Sequence, residues 1–383
     1  MVGFAGSFTV IVHGLLAAGA TQAQAASGLT VLSMVAGLGG LIAASRTRLP
    51  VSIVWSTPGA ALLATSGPMA GGFPAAVGAF LVTGALIVVA GLWRPLGRAV
   101  ASIPHALAAA MLAGVLLGLC LAPVRAVAQL PLEGLAIVVV WAVVARLRRL
   151  LAVPAAVLVT VALVAATSHA TTASLGPLWP APLLVWPSFS WASAVGVGLP
   201  LFVVTMASQN IPGIAVLRVN GFHPHPGPLF TGTGLLTLLA APFGGGPAIN
   251  LAAITAAMCA GEDAHPDPAR RYWAALVASA AYIVVGLFAT AATAFISASP
   301  PVLIEAVAGL ALLGAFGGAM MGVVGEATHR EAALVCFLVT ASGQTLLGIS
   351  GAFWGLVAGA AMMALARWRQ PATARLAPSR PAT

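Results

Sequence analysis

Apolar stretches long enough to cross a bilayer follow one another along nearly the whole chain, and the basic residues fall almost entirely in every second gap between them. Short loops rich in basic residues stay cytoplasmic while charge-poor loops translocate, so this spacing constrains class and orientation together. All sixteen basic residues are Arg, and only Arg125 lands in a gap that an alternating threading puts outside. The expectation is an all-α polytopic protein of a bacterial inner membrane, with both termini cytoplasmic.

Composition enters here only to exclude. With 60% hydrophobic and 6% charged residues, a soluble domain would carry an apolar surface almost everywhere. The net charge of +9 therefore reads as a topology signal beside anionic lipid headgroups. A nucleic-acid surface would gather its Arg on one face among exposed aromatics, whereas these are spread at span-length intervals, so membrane lipid and not nucleic acid is the expected neighbour. Cys120, Cys259 and Cys336 sit far apart in apolar surroundings, without the paired spacing of a zinc or redox motif, and read as buried core. No metal and no cofactor is expected. Nothing resembles a cleaved signal, because the N-terminus lacks a basic region and His13, Gln22 and Gln24 interrupt the first apolar run.

A rule of roughly 20 apolar residues per span, fewer where a helix is broken, marks out segments. They cover approximately 5–22, 28–44, 50–67, 73–92, 100–121, 131–147, 151–168, 188–210, 227–242, 246–260, 271–296, 301–323, 331–348 and 350–367. These are fourteen transmembrane segments, and adding or removing one in the middle would throw every later Arg cluster outside. Residues 1–168 hold the first seven and 188–368 the second seven, so the halves enter the membrane in opposite directions. Between them a charge-free outer link carries Trp179 and Trp186, and 369–383 form a cytoplasmic tail. Short matches between the halves suggest an inverted repeat: Ala20-Thr21-Gln22 with Ala207-Ser208-Gln209, and Ala113-Gly114 with Ala308-Gly309.

The third and tenth segments are interrupted. Pro50 and β-branched residues lead to Ser56-Thr57-Pro58-Gly59 before a small-residue helix, and Phe243 to Pro247 lead through Asn250 into Leu251 to Ala257. Ser or Thr caps a helix and Pro is tolerated in its first turn, so short extended pieces should turn into half-helices there. Unpaired backbone in hydrocarbon costs several kcal/mol per group, so such breaks survive only where protein or a watered cavity satisfies them. Paired breaks in inverted halves point to a transporter's midplane site, and a half-helix N-terminus, with about half a positive charge, suits an anion. The ordinary explanation is a packing kink, which serves one segment better than two. The run Ser208-Gln209-Asn210 in the eighth segment, matched by Thr21-Gln22 in the first, favours a lined cavity over polar glue between helices.

Taken together, Ala207 to Arg218, Trp55-Ser56-Thr57-Pro58-Gly59-Ala60, Ile249 to Ala257 and Ala264-His265-Pro266-Asp267-Pro268 resemble the benzoate:proton symporter (BenE) family over nearly the whole chain. That family is similar in turn to uracil and xanthine permeases. The resemblance implies a seven-plus-seven inverted repeat with a core domain from segments 1–4 and 8–11 and a gate domain from segments 5–7 and 12–14. Its implied activity is secondary import of an aromatic monocarboxylate by proton symport, with no enzyme chemistry and with a homodimer compatible with it. Nucleobase permeases carry an acid where this chain has Ala253 and an acid and a His where it has the uncharged run from Ser208. An amide-rich site without fixed negative charge suits a substrate that brings its own. Gly246-Pro247 also stand where the family often has a His, which removes that residue from consideration. A nucleobase or inorganic-anion permease on the same fold is the alternative.

The expected substrate-binding residues are Gln22, Ser56, Thr57, Gly59, Ser208, Gln209, Asn210 and Asn250. Six of the seven acids read as loop charges, but Glu305 lies ~7 Å inside the twelfth segment at ~1.5 Å per residue. An intramembrane acid is a candidate proton carrier by default, against an ordinary role as an interfacial Glu. His13 is the second proton-coupling candidate, against the plainer reading of a hydrogen-bonded buried His. Packing or headgroup contact accounts for His105. His223 and His225 lack further metal ligands nearby.

Overall fold

The computed structural model describes residues 2–101, 103–167, 181–325, 327–344, 346–347 and 349–368. Trp179 in the outer link, Glu326 and the tail from 369 lie outside the described residues.

Helices α1 (Val2–Ala17), α2 (Gln22–Thr47), α3 (Thr57–Ser66), α4 (Gly72–Leu92) and α5 (Arg94–Ala101) open the chain, with strand β1 (Ile53–Trp55) before α3. Then come α6 (His105–Cys120), α7 (Ala122–Gln129), α8 (Pro131–Leu147) and α9 (Ala152–Thr167). A long helix, α10 (Trp191–Val219), leads to α11 (Pro226–Ala240), β2 (Ile249–Leu251) and α12 (Ala253–Ala260). The chain continues through α13 (Tyr272–Gly286), α14 (Ala289–Ala298), α15 (Pro301–Gly325), α16 (Arg330–Ala341) and α17 (Gly351–Trp368). Among the described residues, five helices are long and apolar enough to cross a bilayer, and α13 with α14, bent by 59° at a short break, pass the same test only as a pair. The chain is an all-α polytopic membrane protein apart from its two short strands.

Both expected interruptions are present, and they meet. Strands β1 and β2 pair antiparallel, with Ile53 opposite Leu251, Val54 opposite Asn250 and Trp55 opposite Ile249. A two-stranded ribbon leaves its outer edges unpaired, which hydrocarbon does not tolerate. Here side chains close the outer edge of β2: the amide of Ile249 donates to Thr237 Oγ1 at 2.9 Å and that of Leu251 to Asn210 Oδ1 at 2.8 Å. The ladder continues at both ends, with Ser56 N donating to the carbonyl of Ala248 and Ala252 N to that of Ser52. Trp55 fixes the ribbon in the core, donating to Ser7 Oγ at 2.9 Å and meeting Tyr282 edge-on with centroids 4.9 Å apart.

Packing around the ribbon depends on small residues, as expected where lipid supplies no hydrophobic drive between helices. A Cβ on Gly14 would come within 2.5 Å of the carbonyl oxygen of Ala60, so α1 reaches α3 only because position 14 lacks a side chain. Helices α2 and α13 pack together, as do α4 and α11; α6 instead packs against α15 and α16.

Segment boundaries differ from expectation where capping chemistry intervenes. The first helix ends at Ala17, because Thr21 and Gln24 form a reciprocal capping box that starts α2 at Gln22. The fifth segment begins at His105, after Pro104, and the preceding Arg-bearing stretch is the separate helix α5. The short helix α7 had no counterpart in the threading.

Candidate functional site

The first half-helix, α3, is closed at its own N-terminus. Ser56 is fully buried; its Oγ accepts from Gly59 N at 3.1 Å and lies 3.1 Å from Thr205 Oγ1. Pro58 has no amide to offer, and Ala60 N donates to the carbonyl of Ser56. The second half-helix, α12, begins after Ala252, which supplies no side-chain cap. Ala256 N donates to the Ala252 carbonyl, leaving Ala253, Ile254 and Thr255 as the first-turn amides without intrahelical acceptors.

Between these two termini lies a cavity of about 240 Å³. Pro58 of α3 and Ala253 and Ile254 of α12 line it, with Ser208 and Gln209 of α10 and with His105 of α6. Its remaining walls are apolar and include Leu112 and Ala315. The shape of α10 explains how two adjacent polar residues both reach the cavity. Residues Met206–Asn210 form a π-helical turn, and Pro212 cannot donate the next backbone bond, so the ladder slips where the polar run begins. Ser208 Oγ donates back to the Val204 carbonyl at 2.6 Å, which leaves its oxygen as an acceptor; the Gln209 amide has no partner among the described residues.

Of the expected binding residues, the structure brings Ser208 and Gln209 to the cavity. It does not bring the others. Asn210 is fully buried, accepting from Leu251 N and placing Nδ2 3.2 Å from the Met206 sulfur, so its amide holds β2. Asn250 is equally buried: oriented to satisfy both neighbours, its amide accepts from Ser56 N at 3.2 Å and donates to the Leu251 carbonyl at 3.0 Å. Ser56 is the α3 cap, Thr57 and Gly59 flank the cavity-lining Pro58, and Gln22 is an exposed residue opening α2. Ser56, Asn210 and Asn250 satisfy backbone groups and Gln22 is exposed, which a polar-residue search cannot distinguish from ligand binding. His105 is the lining residue that such reasoning missed. The signal available was its place directly after Pro104, at the first turn of a helix, where a side chain can face an opening.

The two proton-coupling candidates lie together on neighbouring helices. His13 Nε2 of α1 is 3.8 Å from Glu305 Oε1 of α15, with side chains 22% and 27% exposed. Glu305 also lines a separate cavity with Arg125 and Gln129. A further cavity of about 1060 Å³ lies between α4, α5, α10 and α11 with Arg98, Arg218 and His225 on its walls, and contains neither half-helix terminus. Among the described residues no group of three His, Cys, Asp or Glu could hold a metal.

Comparison with known proteins decides the family. Residues 1–365 match the family described as benzoate membrane transport protein (BenE). The chain belongs to the benzoate membrane transport family. It is 42% identical over 360 residues to inner membrane protein YdcO of Escherichia coli, covering 94% of this chain and 91% of that protein. To the benzoate membrane transport protein of Acinetobacter baylyi it is 31% identical over 367 residues, again covering 94% and 91%. This member of the family is accordingly a multi-pass inner-membrane transport protein and not an enzyme.

Proposed function

We propose that the chain imports a benzoate-like aromatic monocarboxylate by proton symport with alternating access. The observation that carries this reading is the cavity: its polar lining on the α10 and α12 side is uncharged, and it adjoins one half-helix whose first-turn amides are free. Such a site offers donors and a positive dipole end to a substrate carboxylate, and apolar walls to a ring. The relative named for benzoate transport supports the substrate class.

In this reading the fourteen segments form two inverted sets of seven. A core built from segments 1–4 and 8–11 carries both half-helices and α10. A gate built from segments 5–7 and 12–14 carries α6 and α15, and substrate binds where the two meet. With the Arg-rich gaps cytoplasmic, His105 lies at the inner end of α6 and the His13–Glu305 pair joins core to gate near the outer surface. Access alternates as the gate rocks against the core.

An anion entering against a negative-inside potential opposes ~2.3 kcal/mol per charge per 100 mV, which a co-transported proton cancels. Glu305 carries that proton in exchange with His13, so protonation weakens the outer contact between the two domains. Uptake of labelled benzoate into proteoliposomes, with and without an inward proton gradient, tests the reading. Glu305→Gln should abolish gradient-driven accumulation while sparing benzoate counterflow; full gradient-driven uptake by the variant would remove Glu305 from coupling.

A further inference from the structure

Among the described residues, His105 is the only titratable side chain lining the cavity between the half-helices. The other polar groups there, Ser208 and Gln209, are neutral, and α12 contributes only backbone amides. A carboxylate moved from water into such a cavity loses hydration that neutral donors replace only in part, and a cation replaces it more fully. We propose that His105, from the gate side, supplies the counter-charge for the substrate carboxylate when protonated, facing the α12 amides across the bound anion. This rests on the reading of the cavity as an aromatic-carboxylate site.

Three features suit His105 to that role. It is exposed, and no hydrogen bond to another described residue occupies its ring. Its ring lies against Gly322 of α15, where a Cβ would come within 3.0 Å of Cε1 and 3.3 Å of Nδ1. A side chain at 322 would therefore crowd the imidazole, and Ala109 Cβ at 2.7 Å still more closely. Finally, α6 belongs to the gate while Ser208, Gln209 and α12 belong to the core. Substrate held from both sides favours the conformation in which they approach, so binding itself draws the transporter toward closure.

Among the described residues, no other ionisable group on the neighbouring elements shares the cavity. On α15, Glu305 is at the opposite end, beside His13. On α16, Arg330 donates to the Val324 carbonyl and Cys336 to the Leu107 carbonyl, while Glu331 and the adjacent His329 lie outside the lining. Arg125 of α7 lines the cavity that holds Glu305.

Equilibrium binding of labelled benzoate to the purified full-length protein tests this, at pH values across the interval in which an imidazole loses its charge, about pH 6 to about pH 8. Wild type should bind roughly tenfold more weakly at the upper end than at the lower. His105→Gln should bind weakly at both, and His105→Arg should bind without pH dependence. Addition of benzoate to lightly buffered wild type near neutrality should also take up protons, and His105→Gln should lose that uptake. Wild-type affinity and pH dependence retained in His105→Gln would overturn the assignment alone, as would the absence of proton uptake by wild type. Wild type that binds no benzoate at any pH would overturn the substrate reading and the assignment with it.

Discussion

Two half-helices, each entered from a short strand, end in opposite chemical states. At α3 the serine just before the helix turns inward, covers the amide of Gly59 and reaches Thr205, while Pro58 removes another donor. At α12 an alanine stands in the equivalent place, and the first-turn amides remain free beside the cavity. A helix N-terminus whose donors are already satisfied is a structural element; one whose donors are free is a binding element. Strand pairing and the Asn250 side chain hold the two together, with one terminus capped and the other keeping free amides beside the cavity. The two breaks, alike in sequence, therefore differ in whether their donors are satisfied.

The largest effect that can break this comparison comes from filling the open end. Ala253→Glu would place a carboxylate at the first turn of α12, where the helix dipole favours it and the substrate anion would meet a like charge. Like-charge contact in a desolvated site costs several kcal/mol, so benzoate affinity should fall by about a hundredfold or more. The melting temperature should stay near the wild-type value. Unchanged benzoate uptake by Ala253→Glu would show that the anion does not sit at this terminus.

The closed end should respond in the opposite sense. Ser56→Ala removes the cap of α3 and leaves the buried Thr205 hydroxyl without that neighbour, at a cost of about 0.5–2 kcal/mol in stability. Thermal unfolding should register the loss, while the benzoate dissociation constant of the folded fraction changes little. A large loss of affinity with no loss of stability would reverse the assignment of the two ends.

How much of this was legible beforehand depends on the range of the interaction involved. The breaks at Pro50 to Pro58 and at Phe243 to Asn250 were readable because Pro, Gly and β-branched residues act on the backbone locally. The cap at Ser56 was readable for the same reason. What Asn210 and Asn250 do was not, because both look like cavity donors until the unpaired edge of β2 and the amide of Ser56 are brought beside them. In a bilayer a broken span creates its own demand for polar side chains, and those side chains compete with ligand binding as an explanation. His105 was missed for the converse reason: its place after Pro104 shows that a side chain there can face an opening, and nothing about what shares that opening. Its meaning comes from Gly322 and Gln209, which lie far away in sequence.

The smallest effect sharpens the comparison most. Ala252→Ser would give α12 the cap that α3 already has, since Ala252 holds the extended backbone (φ −91°, ψ 111°) a capping serine adopts, close to that of Ser56 (φ −83°, ψ 93°). Its hydroxyl would accept from a first-turn amide, stabilising the half-helix by about 0.5–1 kcal/mol and withdrawing one donor from the substrate. One neutral hydrogen bond is worth about 1 kcal/mol, so affinity for benzoate should fall about fivefold while the melting temperature rises. Opposite movement of the two quantities is the signature, because a substitution that merely disturbed packing would lower both. If stability rises and affinity does not fall, the free amides of α12 contribute nothing to binding, and the difference between the two termini is one of capping alone.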